Sequence, residues 1–211
     1  MDSFSFETML RSAETRLREK GIFERGDGRL SIRLPVSGSD RSLSLVCDGA
    51  AIKELESNSI ESIIFSRRPG VGGMILGRPP WGSALCQISN MMPALFDEQV
   101  RQIGPSVEKL FYQTGETLSP DDVRKIARGG TVFLLGSEVL TLGYTLERAV
   151  FNLELLEKCA KSFVLAHSTG EPLTTIPWWV RLIAFRRLRR DEAKAAKAYS
   201  LGKMPTGLGG Y

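Results

Sequence analysis

Histidine is almost absent from this 211-residue chain, which holds only His167. A zincin helix, a two-histidine facial triad and a Cys₂His₂ zinc site each need more imidazoles than one subunit supplies, so all three are excluded within a subunit. Cysteine is scarce too. Cys47, Cys86 and Cys159 are odd in number, far apart and set in apolar or mixed runs, the pattern of reduced core thiols in a cytoplasmic protein rather than a disulfide framework. Long apolar runs are missing as well. The stretch from Ile176 to Phe185 is interrupted by Arg181 and falls far short of the ~20 residues a membrane span requires. MDSFSFETML at the start lacks a basic segment followed by an apolar one, so no secretory leader is expected.

What is present is ordinary globular composition, with 42% hydrophobic and 25% charged residues. Phe6, Met9, Leu10, Ala13 and Leu17 keep helical spacing, which predicts an amphipathic helix over residues 5–20 that Gly21 ends. Leu30, Ile32 and Leu34 alternate with Ser31 and Arg33, the period of a half-buried strand, and a second strand is expected from Leu43 to Cys47. After Gly49 the chain reads as helical toward Phe65, then as a buried strand over Val71–Leu76. Pro79 and Pro80 open a helix carrying Trp81, Ala84, Leu85 and Ile88, because proline is tolerated in a first turn. Ser119, Pro120 and Asp122 mark another helix start, with Val123, Ile126 and Ala127 as its apolar stripe. Two strands, Thr131–Leu135 and Val139–Leu142, follow, and then the longest helix, from Thr145 to about His167. His167 suits a cap on that helix's C-terminal carbonyls.

Charge is unevenly spread. Residues 181–203 carry eight Lys or Arg against Asp191 and Glu192, a local +6 that leaves −2 of the total +4 for the rest of the chain. Trp178, Trp179, Leu182, Ile183, Phe185 and Leu188 form an apolar stripe there, surrounded by Arg181, Arg186, Arg187, Arg189 and Arg190. Two parts are therefore expected: a domain over residues 1–170, and over 171–211 a basic amphipathic helix with a flexible Gly-rich tail.

Three blocks, in order and spacing, resemble the class II aldolase/adducin family: GRLSIRLP from Gly28, RRPGVGGMILGRPPWGSAL from Arg67, and TVFLLGSEVLTLGYTLERAVFNLELLEKCAKSF from Thr131. The family shows Gly-Asn-Ile-Ser-Val-Arg at the first. At the second it has an Arg-Pro-Asp-Val strand, a His-x-His and a Pro-Pro-Tyr-Ala-Thr-Ala helix. The third corresponds to a strand, an Asn-His-Gly, a second strand and a Thr-Leu-Glu-x-Ala helix start. The resemblance implies an α/β, three-layer α/β/α class II aldolase-like domain with a central mainly antiparallel sheet. It also implies a divalent metal, usually held by three histidines, acting as a Lewis acid on a carbonyl or hydroxyl.

This chain departs from that pattern where the metal would sit. The His-x-His positions are Leu76 and Arg78, and the third histidine is Ser137, followed by Glu138. Leucine has no lone pair and a guanidinium cannot ligate a cation. An ordinary zinc aldolase therefore does not fit, and no cofactor is called for. The family carboxylate falls near Ser57, with Glu56 or Glu61 as substitutes. The family's phosphate-contacting Gly-Asn is Gly28–Arg29, and its Pro-Ser-Gly loop is Cys47–Gly49. The resulting site expectation is Glu138, Arg78 and Tyr211 as catalytic residues, with Arg29, Gly49, Ser57, Arg78, Trp81 and Ser137 lining a pocket for a small anionic or carbonyl metabolite. Tyr199 is the other tyrosine that could fold over a pocket, and Trp81 also reads as a packing residue. Lyase, isomerase or cyclase chemistry would fit, with a catalytically inactive adducin-like scaffold or regulatory protein as the alternative. For the basic helix, family context favours a subunit interface in a homo-oligomer, a tetramer. A membrane surface ranks second, and nucleic acid is disfavoured.

Overall fold

The computed structural model describes residues 3–24, 28–35, 44–48, 51–55, 59–112 and 118–206. Eight strands form one sheet: β1 (Gly28–Arg33), β2 (Ser44–Asp48), β3 (Ala51–Glu54), β4 (Gly73–Gly77), β5 (Met91–Pro93), β6 (Ser106–Leu110), β7 (Val132–Leu135) and β8 (Glu138–Gly143). Their order is β3-β2-β1-β4-β8-β7-β6-β5. Every pairing is antiparallel except β6 with β7, so the sheet is mainly antiparallel, as the resemblance implies. Seven helices accompany it among the described residues: α1 (Ser3–Glu19), α2 (Ile60–Arg67), α3 (Pro80–Ile88), α4 (Asp97–Gln102), α5 (Pro120–Ala127), α6 (Leu146–His167) and α7 (Trp178–Ser200).

Because side chains alternate along a strand, each strand contributes to two cores. Leu30, Ile32, Ile75, Val132, Leu134 and Val139 face α1, α3 and α6, where Phe6, Leu10, Leu17, Leu85, Leu153 and Leu156 cover them. Met74, Phe133, Leu140 and Leu142 face the other way, against Ile60, Ile64 and Phe65 of α2 and Ile126 of α5. Three layers result. α6 begins close to the strands because two paired glycines leave room: a Cβ at Gly73 would lie 2.4 Å from the Leu146 Cα, and one at Gly143 2.3 Å from the Ala149 nitrogen.

Helix starts follow the sequence cues. Thr145, Ser119 and Ser59 accept hydrogen bonds from the backbone N–H of Arg148, Asp122 and Ser62, satisfying first-turn donors that lack a partner within the helix. Three expectations need correction. Residues 51–54 form strand β3 rather than helix, because Ala51–Glu54 ladder with β2 before the chain reaches Ser59. Ala127 faces solvent and Asp122 is buried instead, its carboxylate accepting from Phe111 N–H and Ser119 O–H. The longest helix is α7, with 23 residues against 22 in α6. Cys86 and Cys159 are free and buried, and burial pushes the Cys86 thiol up to about 11.

Candidate functional site

Register puts four of the expected site residues, Arg29, Arg78, Ser137 and Glu138, at one end of the three central strands. Arg29 on β1 lies opposite Leu76 on β4, and Leu76 opposite Leu140 on β8. All three point to the α2 face. Gly77 pairs with Val139, so the next pair along, Arg78 and Glu138, closes the same row. The Arg78 Nε lies 3.6 Å from Glu138 Oε1, with side chains 63% and 35% exposed. Ser137 is exposed beside them at the tip of the β7–β8 hairpin, where Gly136 has φ 62. Glycine first and a two-residue loop are what a type II′ turn requires.

Behind this row stands a carboxylate that spacing alone left undecided. Glu61 of α2 is 1% exposed and accepts from Arg29 Nε at 2.6 Å, while its other oxygen has no hydrogen-bond partner. The pair fixes the Arg29 side chain toward α2 and keeps a buried carboxylate compensated. Glu56, Ser57, Gly49 and Tyr211 lie outside the described residues.

Trp81 opens α3 beside the row. It is half-buried against the core, with Lys161 Nζ 5.5 Å from its ring, so it packs the helix start. α3 has no side-chain cap of its own. Glu157 of α6 supplies one, accepting from Trp81 N–H at 3.1 Å and Gly82 N–H at 2.7 Å. Burial raises the Glu157 pKa, and the two N–H groups oppose that rise. Sequence reading missed Glu157; the cue was a Pro-Pro-Trp-Gly helix start without a Ser, Thr, Asp or Asn to accept its N–H groups.

Tyr199 sits at the opposite end of the strands. Its hydroxyl donates to the Tyr144 carbonyl at 2.9 Å, it is buried, and its ring stacks near Arg33. It is a packing residue of α7 and not a proton donor for the Arg78–Glu138 end. His167 is exposed and stacks on Phe163, with ring centroids 5.5 Å apart, instead of capping the carbonyls.

A divalent metal does not fit these residues. The positions that the resemblance assigns to metal ligands hold Leu76, Arg78 and Ser137, Arg78 is paired to Glu138, and among the described residues no three His, Cys, Asp or Glu side chains come together as a ligand set.

No protein-family model matches the chain, and no curated protein matches it either. Solved structures do. YgbL from Escherichia coli superposes with a TM-score of 0.67 at 15% identity, covering 86% of this chain and 98% of that one. An L-fuculose 1-phosphate aldolase gives 0.65 at 20% identity, covering 90% and 98%. The L-fuculose 1-phosphate aldolase of Glaciozyma antarctica PI12 gives 0.67 at 17% identity, covering 91% and 85%. This is a class II aldolase-like fold. At such identities the likeness concerns the fold, and the class II aldolase-like sheet is what lines up Arg29, Arg78 and Glu138.

Proposed function

We propose that this class II aldolase-fold protein binds a small anionic or carbonyl compound at the Arg29–Arg78–Glu138 end of its sheet and carries out proton transfer there without a metal. The observation that carries this reading is the row itself with the residue behind it: Arg29, Arg78 and Glu138, backed by buried Glu61, at the end where the resemblance implies metal chemistry. Arg78 is largely exposed, so its paired N–H donors can take a carboxylate, phosphate or enolate oxygen. An anion entering there competes with Glu138 for Arg78 and releases the Glu138 carboxylate to act as base. Arg29, held by Glu61, adds fixed positive charge that needs no reorganisation during reaction. Ser137, exposed at the hairpin tip, offers a hydroxyl. Lyase, isomerase and cyclase reactions all use such a proton transfer. The setting is cytoplasmic.

The test is calorimetric titration of the full chain with a phosphorylated hydroxyketone in the presence of a chelator. Arg78→Ala should weaken binding about tenfold to a hundredfold, the loss of one or two charge-assisted hydrogen bonds. Unchanged affinity, or no binding by the unaltered protein, overturns the reading. A second reading is favoured by the exposed tryptophans of α7: a noncatalytic, adducin-like scaffold that works through what this helix contacts, in which case no small molecule binds.

A further inference from the structure

α7 has two apolar faces, and only one is covered. Ala184, Leu188, Ala195 and Tyr199 recur at i, i+4, i+11 and i+15 and are buried. Ala184 and Phe185 pack with Val100 of α4. On the opposite face, over the first two turns, stand Trp178, Trp179, Leu182 and Ile183, the tryptophans 69% and 55% exposed. Farther along come Arg186, Arg187 and Arg190, all exposed. The neighbouring acids are already taken, Glu192 by Arg68 at 2.7 Å and Asp191 by Lys194 at 3.4 Å. Arg189 turns inward to the Ala127 carbonyl. Among the described residues no ion pair engages Arg186, Arg187 or Arg190.

We propose that this face docks onto a membrane surface that carries anionic lipid. Trp178, Trp179, Leu182 and Ile183 enter the headgroup boundary, where an aromatic ring is held between apolar and wet surroundings. Arg186, Arg187 and Arg190 pair with lipid phosphates in the plane above. Charge selects this occupant. A two-fold contact between copies would bring up the same face, whose neighbouring acids are already engaged and leave no carboxylate for Arg186, Arg187 and Arg190. A nucleic acid would take the arginines but leave two tryptophans, a leucine and an isoleucine in water. Among the described residues no helix is long and apolar enough to cross a bilayer, so α7 lies on the surface.

Co-sedimentation of the full chain with vesicles tests this, comparing phosphatidylcholine alone with phosphatidylcholine plus phosphatidylglycerol. Binding is expected only to the mixed vesicles, with a blue shift of tryptophan emission. The double variant Trp178→Ser/Trp179→Ser should abolish the shift, and Arg186→Glu/Arg190→Glu should weaken binding at least about tenfold. Circular dichroism of both variants should match the unaltered protein, since all four side chains point outward. Equal binding to both vesicle types, or none to either, overturns the proposal. So does a dimer in lipid-free buffer that Trp178→Ser/Trp179→Ser splits, because the face would then belong to a second copy.

Discussion

The two ends of strands β1, β4 and β8 both carry arginines, and Arg33 and Arg68 at one end are held in the opposite way to Arg78 at the other. At the end nearest Gly73 and Gly143, Arg33 donates to the carbonyls of Val71 at 2.8 Å and of Phe65, and lies between the rings of Phe65 and Tyr199. Next to it Arg68 holds Glu192 through two parallel bonds of 2.8 and 2.7 Å and reaches the Gly130 carbonyl at 2.6 Å. These groups are buried, satisfied and committed to fastening α7. At the other end Arg78 touches one carboxylate, at 3.6 Å, and stays open to solvent. Buried, fully bonded charge specifies the fold, whereas loosely paired exposed charge is free to meet a ligand.

The closed end should break hardest. Arg68→Ala leaves Glu192 without its partner at the α7 interface and should cost about 3–5 kcal/mol in urea unfolding, the penalty typical of a split buried pair. Gly143→Ala should follow at about 1–3 kcal/mol, since its Cβ meets the Ala149 nitrogen at 2.3 Å and the helix start must shift.

Tyr199→Phe removes one hydrogen bond and should cost about 1 kcal/mol. Alkali sharpens the same comparison. Burial raises the Tyr199 pKa above its ordinary 10.0, so its contribution is complete below that pH and shrinks as the pH climbs past it. Cys86, pushed from 9.0 up to about 11, adds a loss that begins lower, as the pH passes 9. Chemical denaturation between pH 8 and 11 should show falling stability, with a shallower fall above pH 10 in Tyr199→Phe. Smallest of all is Arg78→Ala, which should change stability by less than about 1 kcal/mol because the pair it breaks is exposed.

Sequence carried the layers of this fold better than its edges. Strong period and punctuation located α1, β1, β4, α3, β7, β8 and α6 to within a residue or two of their observed ends. β3 was misread because AIKE follows no strand-length alternation and is strand only through its ladder to β2. β5, α4 and β6 are three to six residues long, too short for a period to appear; α4 depends on packing against α7, and the two strands on their ladders with each other and with β7. At the site, Arg29, Arg78, Ser137 and Glu138 were legible because a block resemblance aligned them. Glu61 was named only as one of two substitutes with Glu56, and Glu157 not at all, since burial and a long-range hydrogen bond give them their roles. For α7 one stripe was read where there are two faces: Leu188 goes inward and Trp179 outward, on opposite sides of a helix with 3.6 residues per turn, a division the spacing carried and the reading as one stripe overlooked.

Proton exchange tests the central claim most directly. A phosphorylated hydroxyketone is incubated with the full chain in deuterated water and excess chelator, and loss of its α-proton signal is followed by nuclear magnetic resonance. An open, metal-free charge row predicts exchange by the unaltered protein, a large loss in Glu138→Gln and Arg78→Ala, and none in Tyr199→Phe. Exchange that stops when chelator is added, or that survives in Glu138→Gln, contradicts it.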